Sequence, residues 1–131
     1  MALCFRAASI AAFDSKGTRM TDSEQSFYAD TPKPPYYAVI FSALPTKDDE
    51  GYGALSDELR VLAKSQPGYL GIEAAGVTKE ITVSYWRDRE AILAWKKKVE
   101  HLAAQRLGRE RWYESYRVRV ALVEREYGWE R

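Results

Sequence analysis

The run from Tyr36 to Leu44 (Tyr-Tyr-Ala-Val-Ile-Phe-Ser-Ala-Leu) constrains this chain more than any other segment. It has strand length, Pro45 stops it, and neither of its alternating faces is polar. A strand of that kind must be covered on both sides. Helices can supply one cover, so something else must supply the other. At 131 residues the chain fits one domain and not comfortably two. A domain of this size buries roughly two-thirds of its unfolded surface, enough for a core without disulfide or metal staples.

Beyond that strand the pattern is regular. Thr46 to Gly53 is an acidic, glycine-bearing loop. From Ala54 to Ser65, Leu55, Leu59 and Leu62 recur at helical spacing, and Gln66-Pro67-Gly68 ends the helix. Tyr69 to Ala75 reads as a second strand and Gly76 to Glu80 as a turn. Ile81 to Trp86 is a third strand with clean alternation, Ile81, Val83 and Tyr85 on one side, Thr82, Ser84 and Trp86 on the other. Asp88 is placed to cap a second helix whose apolar stripe is Ala91, Ile92, Trp95, Val99 and Leu102. Helical character is expected to run on towards Tyr113, with Gly108 as a break, before a fourth strand from Tyr116 to Val123. The order β-α-β-β-α-β predicts an α+β, ferredoxin-like antiparallel sheet with both helices on one face. A homodimer packed sheet against sheet would cover the other face.

The first 35 residues differ from the rest. The apolar stretch Ala7 to Phe13 is flanked by Arg6 and Asp14, which does not make a secretory signal, so a cytoplasmic location is expected. Met20 opens Met-Thr-Asp-Ser-Glu-Gln, which looks like an ordinary protein start, and residues 1–19 read as an upstream extension. Ala29 to Pro35 is proline-rich and extended. The expected organisation is a loosely packed extension over 1–35, a domain over 36–127, and a tail over 128–131.

Composition narrows the function classes. Cys4 is the one cysteine, which excludes an internal disulfide and multi-cysteine metal sites. His101 is the one histidine, so no histidine cluster can hold a metal, and a single conventional base near neutral pH remains. No metal site is therefore expected, and with no glycine-rich dinucleotide fingerprint after a strand no cofactor is expected either. The net charge of +1 does not suggest a nucleic-acid partner. Residues 87–125 hold 11 Lys/Arg against 6 Asp/Glu, yet the third strand lacks the aromatic motif of an RNA-binding sheet. No stretch approaches the roughly 18 apolar residues of a membrane span.

Three segments carry a resemblance. Gln66-Pro67-Gly68-Tyr69-Leu70-Gly71 leads into the second strand, Ser84-Tyr85-Trp86-Arg87-Asp88 is followed nine residues after Trp86 by Trp95, and Glu100-His101 precedes Ala103-Ala104-Gln105. Over about 90 residues, Tyr36 to Tyr127, the chain resembles the antibiotic biosynthesis monooxygenase family. That resemblance implies a dimeric α+β barrel. Some members oxygenate polycyclic phenols without metal or flavin, others bind and degrade haem, and many have no assigned reaction. For the haem branch Trp95 matches the expected tryptophan. The ligand position falls at Gln105 or Arg106, neither a normal haem ligand, and the chain has no asparagine for the first-strand marker.

Oxygenation of a small aromatic or enolic molecule is thus the leading expectation, and a non-catalytic small-molecule-binding or stress-related dimer is the alternative. His101 is the candidate catalytic base. On an unbroken helix from Asp88 it would sit on the solvent side, about 140° from the apolar stripe. A helix break near residues 98–101 would turn it toward a pocket. Trp86, Trp95, Arg109, Trp112 and Tyr116 are the candidate substrate-binding residues, the tryptophans as core or as pocket walls. Arg109 with Trp112, and Trp112 with Tyr116, share a face if the segment is helical, where a cation among rings could hold an enolate oxygen.

Overall fold

The computed structural model describes residues 27–48, 50–106 and 112–131, with backbone only for 103–106. The elements run β1 (Tyr36–Pro45), α1 (Tyr52–Lys64), β2 (Tyr69–Ala75), β3 (Glu80–Trp86), α2 (Arg89–Arg106) and β4 (Tyr113–Val123). They form one antiparallel sheet of order β2-β3-β1-β4, the ferredoxin-like arrangement. The long apolar run therefore sits at a central position, paired on both sides. Ile40 lies opposite Val83 on β3 and Arg119 on β4.

Alternation along β1 sends Val39, Phe41 and Ala43 into the core under the helices. Tyr36, Ala38, Ile40 and Ser42 take the opposite, outer face. Each helix covers the inner face with a stripe at three- and four-residue spacing: Tyr52, Leu55, Leu59 and Ala63 from α1, Ala91, Ile92, Trp95 and Val99 from α2. Asp88 caps α2, its Oδ1 accepting the Ala91 N–H at 2.8 Å. Gly68, with φ of +84°, makes the turn into β2 and lies so near α2 that a Cβ there would stand 2.8 Å from that of Ala91.

Two strands begin earlier than the sequence suggests. β3 starts at Glu80, one residue inside the expected turn, and β4 starts at Tyr113 rather than Tyr116. The helical reading is thereby overturned for Tyr113 to Tyr116, while Trp112 is helical. Tyr113 pairs with Pro45 and Ser115 with Leu44, and the irregularity between them brings Tyr113 and Tyr116 to one side, where both rings meet Phe41 at 5.4 and 5.7 Å. Pairing with the end of β1 outweighs the local helical spacing. Gly108, Arg109 and residues 1–26 lie outside the described residues. Among the described residues no helix is long and apolar enough to cross a membrane.

Candidate functional site

The layer between sheet and helices holds most of the aromatic side chains. Trp86 and Trp95 are fully buried, 5.9 Å apart, with Tyr69 edge-on to Trp86 at 5.3 Å. Trp86 Nε1 donates to Ser84 Oγ at 2.9 Å, so the indole's polar atom is satisfied within its own strand. Trp112 belongs to a second group, edge-on to Tyr52 at 5.3 Å, and its Nε1 donates to the Glu50 carbonyl at 2.9 Å. All three tryptophans are buried among the core side chains of this layer.

Within that layer lies a polar chain. The Tyr52 and Tyr113 hydroxyls are 2.9 Å apart, and the Tyr113 hydroxyl reaches the Glu80 carboxylate at 3.5 Å. Glu80 is 1% exposed. Buried carboxylates are uncommon and need polar company. The inward register of β3, Glu80, Thr82, Ser84 and Trp86, supplies one polar row under the helices.

The expected site residues separate. His101 is exposed on α2, which runs without a break from Arg89 to Arg106. That is the solvent-side placement of the two weighed for it. Trp86 and Trp95 come together, Trp112 joins Tyr52 and Tyr113, and Tyr116 is half-buried against Phe41.

The outer face carries a different cluster. Tyr85 donates to Glu73 at 2.6 Å, and the Ala29 N–H donates to the same carboxylate at 3.0 Å. Tyr36 donates to Glu126 at 2.8 Å, and the Thr31 hydroxyl donates to it as well. Tyr36 and Tyr85 meet edge to face at 5.7 Å. Residues 27–35 thus lie against the sheet, and with the segment after β4 they edge a cleft of about 800 Å³. Burial, then the bond to Glu73, pushes the Tyr85 phenol well above the ordinary tyrosine range. The Thr31 and Tyr36 bonds hold the Glu126 carboxyl below its usual value.

A model of the family described as antibiotic biosynthesis monooxygenase matches residues 35–107, more than half the chain. The chain belongs to this family. The uncharacterized protein YqjZ of Bacillus subtilis (strain 168) is 49% identical over 102 residues, covering 76% of this chain and 90% of that protein. Two solved structures share the fold. An antibiotic biosynthesis monooxygenase candidate from Nitrosomonas europaea is 12% identical with a TM-score of 0.54, over 73% of this chain and 94% of its own. NE2512, a protein of unknown function from Nitrosomonas europaea, is 15% identical with a TM-score of 0.52, over 76% and 98%. At those identities the likeness extends to the fold alone. The antibiotic biosynthesis monooxygenase match spans β1 to the end of α2, so it takes in Tyr52, Glu73, Glu80 and Tyr85 but not Tyr113 or Glu126.

Sequence reasoning missed Glu80, because a glutamate after a glycine turn reads as a solvated turn residue. The available signal was alternation: counting back from Trp86, Ser84 and Thr82 puts Glu80 on the inward face.

Proposed function

We propose that this protein is a homodimeric oxygenase that needs no cofactor and acts on a small aromatic or enolic compound between sheet and helices. The observation that carries the reading is the Glu80 carboxylate, 1% exposed and 3.5 Å from the Tyr113 hydroxyl, which is in turn 2.9 Å from that of Tyr52. A carboxylate so placed can accept the proton of a phenol or enol, with Tyr113 or Tyr52 holding the resulting oxyanion by a hydrogen bond. The anion supplies the electrons. A substrate CH₂ group gives up two hydrogens, one atom of dioxygen becomes its carbonyl, and the other leaves as water, so no outside reductant is needed. His101, exposed on α2, stands outside this scheme. The proposal includes a cytoplasmic location.

A second reading is favoured by the exposure of His101, the one histidine, on α2: a dimer that binds a small molecule and performs no chemistry on it. Oxygen uptake with an activated anthrone as probe separates the two. Wild type should turn the probe over, Glu80→Gln should slow it by about 10²-fold or more, the usual scale for a proton acceptor, and His101→Ala should leave it within about twofold. Saturable binding with no oxygen uptake would overturn the oxygenase reading. A Glu80→Gln protein that folds and turns over normally would remove Glu80 from it.

A further inference from the structure

The outer cleft lies apart from the layer under the helices, and neither Glu80 nor Tyr113 lines it. Its floor is the sheet, with Tyr36 of β1, Glu73 of β2 and Tyr85 of β3, and its walls come from residues 28–31 and 126–130. At about 800 Å³ it falls within the range of small-molecule sites, roughly 300–1,000 Å³. Three carboxylates line it, Glu73, Glu126 and Glu130, and among the described residues no lysine, arginine or histidine does. Glu73 accepts from the Tyr85 hydroxyl and the Ala29 N–H, Glu126 from the Thr31 and Tyr36 hydroxyls, so every donor is neutral. The bonds from Thr31 and Tyr36 hold the Glu126 carboxyl below its usual value, which keeps it charged at neutral pH. Glu130 is exposed and bonded to nothing among the described residues. The cleft is therefore a concave surface with uncompensated negative charge.

Aromatic rings supply much of the remaining wall. Tyr36 and Tyr85 meet edge to face on the floor at 5.7 Å, and Tyr127 and Trp129 stand at the rim, 83% and 79% exposed. Ring faces carry partial negative charge, so rings and carboxylates together favour a positive ligand. Both rim rings already attract one: the Arg125 guanidinium lies over Tyr127 at 5.1 Å and that of Arg131 over Trp129 at 5.9 Å. Each guanidinium covers one face of its ring, and neither arginine lines the cleft. A metal ion is a poor fit, because among the described residues no three side chains of the ligating kinds stand close enough to hold one. We propose that this cleft binds a small quaternary ammonium ion, its methylated head among Glu73, Glu126 and Glu130 and against the rings. Such a head spreads its charge over its methyl groups and suits carboxylates that are dispersed around a wall. It also brings no N–H group in need of an acceptor, and Glu73 and Glu126 already accept from the chain.

Isothermal titration calorimetry on the full chain tests the assignment, with choline as the probe and 3,3-dimethylbutan-1-ol as its neutral counterpart. The two differ only in a carbon where choline has its charged nitrogen, so any difference in binding reads the charge. Choline should bind saturably, and the alcohol about tenfold more weakly or less. Choline binding should weaken as salt rises from about 50 to 500 mM, since the carboxylates at the rim are screened. Glu130→Gln and Trp129→Ala change exposed side chains outside the sheet and test the site without a burden on the fold. Each should weaken choline binding about three- to fivefold, the scale of one exposed charge or ring. Equal binding of choline and the alcohol, or wild-type affinity in both variants, would overturn the proposal. So would the absence of saturable binding at millimolar choline, the outcome expected if a second chain fills the cleft.

Discussion

Replacing Trp86 by Phe separates a core residue from a pocket wall. Trp86 is fully buried, its ring lies 5.3 Å from Tyr69 and 5.9 Å from Trp95, and its Nε1 donates to Ser84 at 2.9 Å. The change removes about two buried carbon groups, worth roughly 1.5 kcal/mol at 0.8 kcal/mol each. It also removes one hydrogen bond and leaves the buried Ser84 hydroxyl without its donor, worth about 1 kcal/mol. The expected loss is about 2.5 kcal/mol, or roughly 8–12 °C in melting temperature for a chain of this size. Urea titration at fixed protein concentration reads it directly, because dimerisation would otherwise shift the midpoint. Adding Ser84→Ala should cost little more, giving a coupling of about 1 kcal/mol in the double-mutant cycle. A loss below about 0.5 kcal/mol, the range of surface substitutions, would refute the reasoning and make the indole the wall of an open space.

Gly76→Ala should destabilise by about 2 kcal/mol or more, because φ there is +93° and the new Cβ would run into the Lys79 carbonyl of the β2–β3 turn; thermal melting checks it. Tyr85 has a phenol held above the ordinary range, so its contribution to stability is full below about pH 10 and is lost as pH rises beyond that. Urea midpoints from pH 8 to 11 should therefore fall in wild type and fall less steeply in Tyr85→Phe. A chain beginning at Met20 keeps the Ala29 and Thr31 contacts and should melt with the full chain. A chain beginning at Pro35 loses both and should melt lower; equal melting of the two would make those contacts inert.

The strands of this fold were legible where burial makes alternation sharp. Ile81 to Trp86 alternates without a break, and the apolar run of β1 could be nothing but a covered strand. The start of β4 was not legible, because Arg109, Trp112, Tyr113 and Tyr116 carry helical spacing in the sequence. What places Tyr113 in a strand is Pro45, a partner far away in the chain, and no local pattern contains that information. Helical periodicity fared better for His101. The 100° step put it on the solvent side of an unbroken helix, where it lies.

The polar clusters were the least legible part, for a reason that lies in the sheet. Glu73 meets Ala29 from 44 residues away, Glu126 meets Tyr36 from 90, and Tyr113 meets Glu80 from 33. Tyr113 and Glu80 are brought together across β1 by strand register, which a sequence specifies only through the apolar faces that must align; Ala29 and Glu126 lie in irregular segments before β1 and after β4, whose return over the sheet no periodicity announces. The aromatic richness of the chain hides the same division. Trp86, Trp95 and Trp112 are consumed by the inner face, while Trp129, 79% exposed, stands at the rim of the outer cleft. An apolar strand with two faces therefore obtains one cover from its own helices. Its second face is closed at the Tyr36 end by residues 27–35 and left open at the Ile81 end.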